Sequence, residues 1–282
     1  MKKKKIALLC FSLSFNIFAI DIYTPKAPPS IPMLPMDNEI EIHYYQDVHT
    51  EIIPRIIKNK DGIYVIPTNL GENLKEKGID LKLLGVTSQG LISIISSKKI
   101  DSIKELDEKD ILIGAQGSSP DVISKFLFKK NNIAPKIIYR STPEVAKLMI
   151  VKKGDNAVLP EPMATLVLEK NSDLKRTIVY KYEWEKITSY SGIPQVGLYA
   201  TSKYIKTHPK EIEKFMAEYQ KNLDLLKECP DKFIDLAQVN FDIKLSDKGY
   251  KDSIKYMNLT LIKGEKGEEL VKKYIKTLEE NK

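Results

Sequence analysis

The segment EIIPRIIKNKDGIYVIPTNLGENLKEKGIDL (residues 51–81) decides the fold, because its pattern returns 93 residues later as EVAKLMIVKKGDNAVLPEPMATLVLEKNSDL (residues 144–174). The two segments align without a gap, so that residues 65–67 fall on residues 158–160. Each reads as an amphipathic helix, a turn containing Gly and Asp, a short apolar strand that ends at Pro, and the start of another helix. The repeat predicts two lobes of similar construction.

Upstream of each repeat lies another pair of predicted strands. One apolar strand (residues 21–23 and 111–114) runs into a loop of small residues and prolines, and a second strand follows it (residues 39–45 and 136–139). Strands that alternate with helices imply βαβ units. The sequence therefore predicts an α/β protein in which each lobe is a mainly parallel sheet flanked by helices. In such sheets, the loops after the carboxyl ends of the strands line the ligand crevice.

Two extended stretches connect the predicted lobes, one within residues 83–99 and the other within residues 194–205. Two extended connections favour a two-strand hinge that closes the lobes around a ligand; the alternative is a central strand pair in one rigid domain. The predicted organisation is a signal peptide at 1–19, lobe 1 at 20–88 completed by about 225–282, and lobe 2 at 89–224, with hinge crossovers near 85–95 and 192–202.

If the lobes face each other, the loops at their strand ends converge on one cleft. In one of these loops, Gly117 allows close approach of the backbone, and two hydroxyls precede a predicted helix. Backbone N–H groups and hydroxyls suit a carboxylate, a sulfonate or a ring carbonyl, although helix capping is the alternative role. The predicted ligand-binding residues are Thr24, Lys26, Ala27, Thr68, Asn69, Thr87, Gln116, Gly117, Ser118, Ser119 and Glu161.

Glu161 stands between two prolines, which hold it in an extended conformation. Its carboxylate is positioned to accept hydrogen bonds from a ligand amine or ring N–H, and the alternative is a solvated or hinge-closing charge. Trp184 and Tyr190 precede the second crossover, where an aromatic ring can stack on a planar ligand or simply pack in the core.

The N-terminus has the pattern of a secretory signal peptide. Four lysines (residues 2–5) precede an apolar run (residues 6–19) that is too short for an ordinary membrane span. We expect cleavage near Ala19 and export; the alternative is an uncleaved anchor. Cys10 lies inside the apolar run and follows Leu9, where a lipoprotein signal has a small residue, so lipidation is not expected.

The composition argues against several classes of function. Without the four N-terminal lysines, the formal net charge falls from +7 to about +3, too small to indicate a nucleic-acid partner. Cys229 is the one cysteine after residue 19, so no internal disulfide is predicted. His43, His49 and His208 form no closely spaced pair, and His43 reads as structural. No nucleophile or phosphate-loop motif is present, and the sequence predicts neither an enzyme nor a metal or cofactor site.

Several stretches together resemble a known family: VIPTN (residues 65–69), LLGVT (83–87), KKIDSIKELDEKDILIGAQGSSPD (98–121), AVLPEPMATLVL (157–168) and TSKYIKTHPKEIEKFMAEYQ (201–220). They look like periplasmic solute-binding proteins of ABC importers, in the branch of sulfonate, taurine, nitrate and thiamine-precursor binders. The resemblance covers nearly all of the chain after the signal peptide. Residues 108–110 depart from the family pattern, which has Gly-Lys at this turn.

The resemblance implies a two-lobed type II periplasmic-binding fold that captures a small polar, anionic or heterocyclic molecule in the periplasm. The implied partners are this ligand and an inner-membrane ABC permease with its ATPase, and we expect a monomer. Two other classes remain open at this stage. One is an enzyme on the same fold, of the menaquinone-pathway dehydratase or pyrimidine-precursor synthase type, and the other is a ligand-sensing receptor subunit.

Overall fold

Two β-sheets organise the computed structural model, which describes residues 20–36 and 40–280. The predicted signal peptide lies outside the described residues. From edge to edge, the first sheet contains β2 (Ile40–Tyr45), β1 (Ile20–Pro25), β3 (Ile63–Pro67), β10 (Val196–Ala200), β4 (Lys82–Ser88) and β11 (Leu259–Lys263). The second sheet contains β7 (Lys136–Tyr139), β6 (Asp110–Ile113), β8 (Asn156–Pro160), β5 (Ile92–Ser96) and β9 (Lys175–Val179).

Both sheets are mixed, with three neighbouring parallel strands at one side of each. In the first sheet, β1 pairs in parallel with β2 and β3, whereas β10 is antiparallel to β3 and β4, and β11 is antiparallel to β4. In the second sheet, β6 pairs in parallel with β7 and β8, whereas β5 is antiparallel to β8 and β9. This arrangement confirms the predicted α/β class with two sheets; in each sheet most strands run in one direction, but the pairing is mixed.

Helices flank both sheets. The described α-helices are α1 (Ile53–Ile57), α2 (Thr68–Glu76), α3 (Ser119–Lys130), α4 (Thr142–Ile150), α5 (Met163–Lys170), α6 (Tyr180–Ile187), α7 (Ser202–Thr207), α8 (Pro209–Glu228), α9 (Asp231–Asn240), α10 (Asp247–Met257) and α11 (Gly264–Glu279). A 3-10 helix (Pro28–Met36), which contains Pro32 and Pro35, follows β1. None of the described helices combines the length and the apolar character needed to cross a membrane.

The sequence repeat corresponds to equivalent elements of the two sheets. β8 begins and ends 93 residues after β3, and each of these strands lies beside the first parallel strand of its own sheet, β1 or β6. Each sheet also contains one antiparallel strand that enters it through a crossover, β10 in the first and β5 in the second. The two lobes therefore share the order of five strands, with β11 as an additional edge strand of the first sheet, and they exchange a strand with each other.

The predicted boundary of the second lobe needs a correction. The sequence assigned residues 89–224 to that lobe, but β10 lies between β3 and β4 and is hydrogen-bonded to both. After β10, Tyr204, Phe215 and Tyr219 pack with Ile22 of β1 in one apolar cluster. The physical reason is the exchange of strands: the chain returns to the first sheet at Val196, so the residues from there onward pack with the first lobe.

The last helices contact both lobes. α10 packs against α5 of the second lobe, while its Tyr250 and Met257 share a cluster with Ile31 of the 3-10 helix. α11 packs along β4 and α2, and its Tyr274 and Leu278 enter the apolar core of the second lobe. The space between the sheets is therefore flanked by two helices that follow the second crossover in the chain.

Candidate functional site

One cavity of about 670 Å³ lies where the lobes meet. Its walls come from α2 of the first lobe, from the loop before α3 and α3 itself in the second lobe, and from the end of α11. Three of the predicted ligand-binding residues line it: Asn69, Gln116 and Gly117. The cavity thus brings together predicted residues from both lobes, at or just before the start of a helix that follows a parallel strand.

A carboxylate in the first turn of α3 fixes the loop that precedes the helix. Gly117 has a φ of 79°, in the left-handed region that favours glycine, and its N–H donates to Asp121 Oδ2 at 2.8 Å. The buried Asp121 carboxylate also accepts from Lys125 Nζ at 3.0 Å and from the Tyr139 hydroxyl at 2.8 Å. Hydrogen bonds with Tyr139 and Asp121 raise the pKa of Lys125, so the cavity wall keeps a cation here.

The two serines of this loop have different roles. Ser118 is the N-cap residue of α3, but its side chain makes no capping hydrogen bond. Its Oγ is buried and has no hydrogen-bond partner within the described residues. Ser119 Oγ accepts from Gln195 Nε2 at 3.1 Å. The capping hydrogen bond considered for Ser118 is therefore not formed, and Ser118 keeps a buried hydroxyl without a partner among the described residues.

Gln195 connects the lobes at this point, and the sequence reasoning passed over it. The side chain is almost fully buried, and its Oε1 accepts from the Leu91 N–H at 2.8 Å. Its carbonyl accepts from the Thr68 N–H at 3.0 Å, while its Nε2 reaches Ser119. Gln195 thus contacts both crossovers and the starts of α2 and α3. A polar residue within the apolar crossover GIPQVGLYA (residues 192–200) was the available signal.

Thr68 hydrogen-bonds to the backbone, whereas its neighbour Asn69 faces the cavity. The Thr68 hydroxyl is fully buried and donates to the Pro194 carbonyl. Asn69, one residue further along α2, lines the cavity with its side chain only partly buried. Only Asn69 of this pair is therefore available to a ligand in this conformation.

The predicted residues of the first loop do not line the cavity. Lys26 Nζ pairs with Asp242 Oδ1 at 3.1 Å and lies 5.7 Å from the centre of the Tyr44 ring. Thr24 is fully buried, and its hydroxyl donates to the Pro25 carbonyl at 3.3 Å. The Ala27 N–H points to Ser30 Oγ at 3.4 Å. We therefore do not include these three residues in the proposed site.

Thr87 is also excluded from the proposed site, because it lies inside the first sheet. Its side chain is fully buried, and its Oγ1 donates to the Val196 carbonyl at 3.2 Å.

Glu161 is committed to a buried ion pair, which corrects the expectation that its carboxylate is open to a ligand amine. Its Oε1 lies 2.6 Å from Arg176 Nη1, and its side chain is 0% exposed. Its Oε2 accepts from the hydroxyls of Thr165 at 2.8 Å and Ser253 at 2.7 Å. The Arg176 guanidinium lies 3.8 Å from the centre of the Tyr256 ring. Because Ser253 and Tyr256 belong to α10, this network fastens α10 to the second lobe.

The two aromatic residues before the second crossover are packing residues. Trp184 is fully buried, with ring centroids 4.7 Å from Phe126 and 5.5 Å from Tyr274. Tyr190 meets Trp184 edge-on at 6.0 Å, and its hydroxyl donates to Thr277 Oγ1 at 3.1 Å. Neither ring lines the cavity, so stacking on a planar ligand is not supported by their positions.

The sequence matches no protein family model and no curated protein sequence. Solved structures do resemble the chain. An ABC transporter structure from Parabacteroides distasonis has a TM-score of 0.78 at 18% identity, covering 93% of this chain and 92% of that one. The periplasmic aliphatic sulphonate-binding protein SsuA from Escherichia coli has a TM-score of 0.73 at 13% identity, with coverages of 93% and 92%. A putative nitrate transport protein from Thermoplasma volcanium has a TM-score of 0.58 at 14% identity, with coverages of 94% and 96%.

At these identities, the likeness establishes the fold. The similar structures include one described as an ABC transporter, one described as a periplasmic aliphatic sulphonate-binding protein and one described as a putative nitrate transport protein. The chain has the two-lobed type II periplasmic-binding fold.

Proposed function

We propose that this protein is the extracytoplasmic substrate-binding component of an ABC transporter and that it captures a small polar molecule between its lobes. The observation that carries the proposal is the meeting of α2 and α3 at one cavity. The two helices belong to different sheets, and Gln195 on the second crossover hydrogen-bonds to the start of each. A change in the angle between the lobes would therefore change the cavity directly.

The cavity favours a small molecule with both hydrogen-bond donors and acceptors. Its volume of about 670 Å³ lies within the range of small-molecule sites. Asn69 and Gln116 offer amide groups to it, and the loop beside Gln116 contains the unpartnered Ser118 hydroxyl. Lysines and carboxylates both occur in its wall. We therefore rank sulfonates, amino acids and heterocyclic vitamin precursors above purely apolar ligands.

Export, a monomeric state and delivery to an inner-membrane permease with its ATPase belong to the same proposal. The basic and apolar N-terminal segment supports export to the periplasm. A reporter fused after residue 30 tests this point: activity of a periplasm-dependent reporter is expected, and retention in the cytoplasm would favour the alternative of an enzyme on this fold.

A ligand screen tests the binding function. Residues 20–282, purified without the signal segment, are heated with sulfonates, nitrate, amino acids and thiamine precursors in turn. A ligand of the native state raises the melting temperature by mass action. Each hit is repeated with Asn69→Ala/Gln116→Ala, which removes two amides from the cavity, and with Gln46→Ala, an exposed glutamine outside the cavity lining. The proposal predicts loss of the shift only in the double variant.

A further inference from the structure

Two neighbouring strands contain the same four-residue pattern, IDIY in β1 and IEIH in β2. The parallel register places Asp21 opposite Glu41 and Tyr23 opposite His43. Since alternate residues of a strand share one face, all four polar or aromatic side chains lie on the same face, opposite the isoleucines. β2 is the edge strand of the first sheet, so this face is accessible from the side.

The cluster brings three metal-binding atoms together. His43 Nε2 lies 2.6 Å from Asp21 Oδ1 and 3.7 Å from Glu41 Oε1, and the three atoms all lie within 4.8 Å of one another. The side chains of His43 and Asp21 are 34% and 40% exposed. Ligands about 2.0–2.2 Å from a tetrahedral zinc ion lie about 3.4 Å apart, so a small widening of the His43–Asp21 contact would admit the ion.

The imidazole is already oriented toward the two carboxylates. The rings of His43 and Tyr23 stack at a centroid distance of 4.7 Å and an angle of 13°. Tyr23 is in turn fixed by stacking on Tyr64 at 5.3 Å and by a hydrogen bond from Arg55 to its hydroxyl. Groups that hold a metal-binding histidine in one orientation strengthen binding, and here packed aromatic rings provide that support.

The cluster itself holds two carboxylates, and those of Asp21 and Glu41 both lie within 3.7 Å of His43 Nε2. Among the nearby cations, Arg55 is engaged with Tyr23, and Lys203 lies 3.8 Å from Asp61. A divalent cation would therefore relieve repulsion between Asp21 and Glu41, which stand opposite each other in the register.

We propose that Asp21, Glu41 and His43 form a binding site for one divalent transition-metal ion, with Zn²⁺ as the preferred metal. One imidazole nitrogen and two carboxylate oxygens match the donors that zinc takes, and the exposed side leaves a fourth position for water. The mixed nitrogen and oxygen set disfavours Mg²⁺ and Mn²⁺. The ion ties the edge strand β2 to β1, away from the cavity between the lobes.

The site is tested by calorimetric titration of ZnCl₂ into residues 20–282 carrying Cys229→Ser, which removes the exposed thiol as a competing ligand. One saturable site is expected. His43→Ala, Asp21→Asn and Glu41→Gln should each weaken Zn²⁺ binding by about tenfold or more. His49→Ala and His208→Ala remove the other two histidines as matched controls and should leave the binding unchanged.

Two further readouts separate metal binding from folding. Zinc should raise the melting temperature of the parent protein and not that of Glu41→Gln, while circular dichroism without zinc checks that each variant folds. Bound Co²⁺ should show tetrahedral absorption bands that disappear in His43→Ala. Absence of saturable binding up to about 1 mM Zn²⁺, or undiminished binding in His43→Ala, would overturn the proposal.

Discussion

The Glu161–Arg176 ion pair allows a decisive substitution, Glu161→Gln. The change keeps the size of the side chain and one oxygen acceptor for the hydroxyls of Thr165 and Ser253, but it removes the negative charge. The Arg176 side chain, only 9% exposed, then keeps its charge without a counterion. Glu161→Gln therefore tests whether this carboxylate stabilises the fold or binds a ligand.

The expected loss follows from the burial of both partners. Removing one partner of a buried ion pair costs about 3–5 kcal/mol. Arg176 keeps hydrogen bonds to Ser93 at 2.8 Å and Thr165 at 2.9 Å and its contact with the Tyr256 ring, so we expect the lower end, about 3 kcal/mol. For a chain of this size, that loss corresponds to a fall in melting temperature of about 6–12 °C.

Urea unfolding followed by circular dichroism measures the loss, with Asp173→Asn as the control. Asp173 also pairs with a cation, Lys152 at 2.5 Å, but both side chains are exposed, at 65% and 68%, and no measurable change is expected. The reasoning is refuted if Glu161→Gln unfolds within about 1 kcal/mol of the parent and instead loses ligand binding. That result would indicate that Glu161 belongs to the ligand site.

Three further predictions concern Gln195, Gly117 and Glu144. Gln195→Ala removes the side-chain hydrogen bonds of Gln195 to Leu91 and Ser119, and calorimetry should show ligand affinity reduced by about tenfold or more. Gly117 and Gly78 have left-handed φ values of 79° and 81°, and an added Cβ would meet no atom within 4 Å at either position. Substitution of either glycine by alanine should therefore lower the free energy of unfolding by about 1 kcal/mol. Only Gly117→Ala should also weaken ligand binding, and Gly78→Ala is its control. The backbone N–H of Ser141 lowers the pKa of Glu144, so this carboxylate stabilises the fold above its usual pKa of 4.5 and loses that effect as the pH falls through the lower folded value. The difference in urea midpoint between the parent and Glu144→Gln should therefore be present at pH 7 and shrink as the pH falls below 4.5.

Local pattern was sufficient to predict the two-lobed fold. The 93-residue repeat recurs as β3 and β8 with matching bounds, because strand and helix periodicity depend on neighbours in the sequence. The start of α3 was also predicted, since Pro120 in the first turn favours helix initiation. The lobe boundary was missed because strand exchange is a long-range event: β10 looks like any apolar strand until its partners β3 and β4 are known.

The site residues were harder to predict for the same reason. Glu161 is bound by Ser253, which is 92 residues away, and no local signal indicates that its charge is already neutralised. Gln195 hydrogen-bonds to residues of both lobes, yet in the sequence it is a single polar residue just before an apolar strand. Asn69, Gln116 and Gly117 could be predicted because each follows the carboxyl end of a parallel strand, where the fold itself places ligand contacts.

The central claim is that one small molecule binds between α2 and α3. Its most direct test is calorimetric titration of the strongest hit from the ligand screen into residues 20–282 and into Asn69→Ala/Gln116→Ala. The account predicts one molecule bound per chain and an affinity lower by about tenfold or more in the double variant, with Gln46→Ala unchanged. Equal affinity in the parent and the double variant would contradict it, because the ligand would then bind outside this cavity.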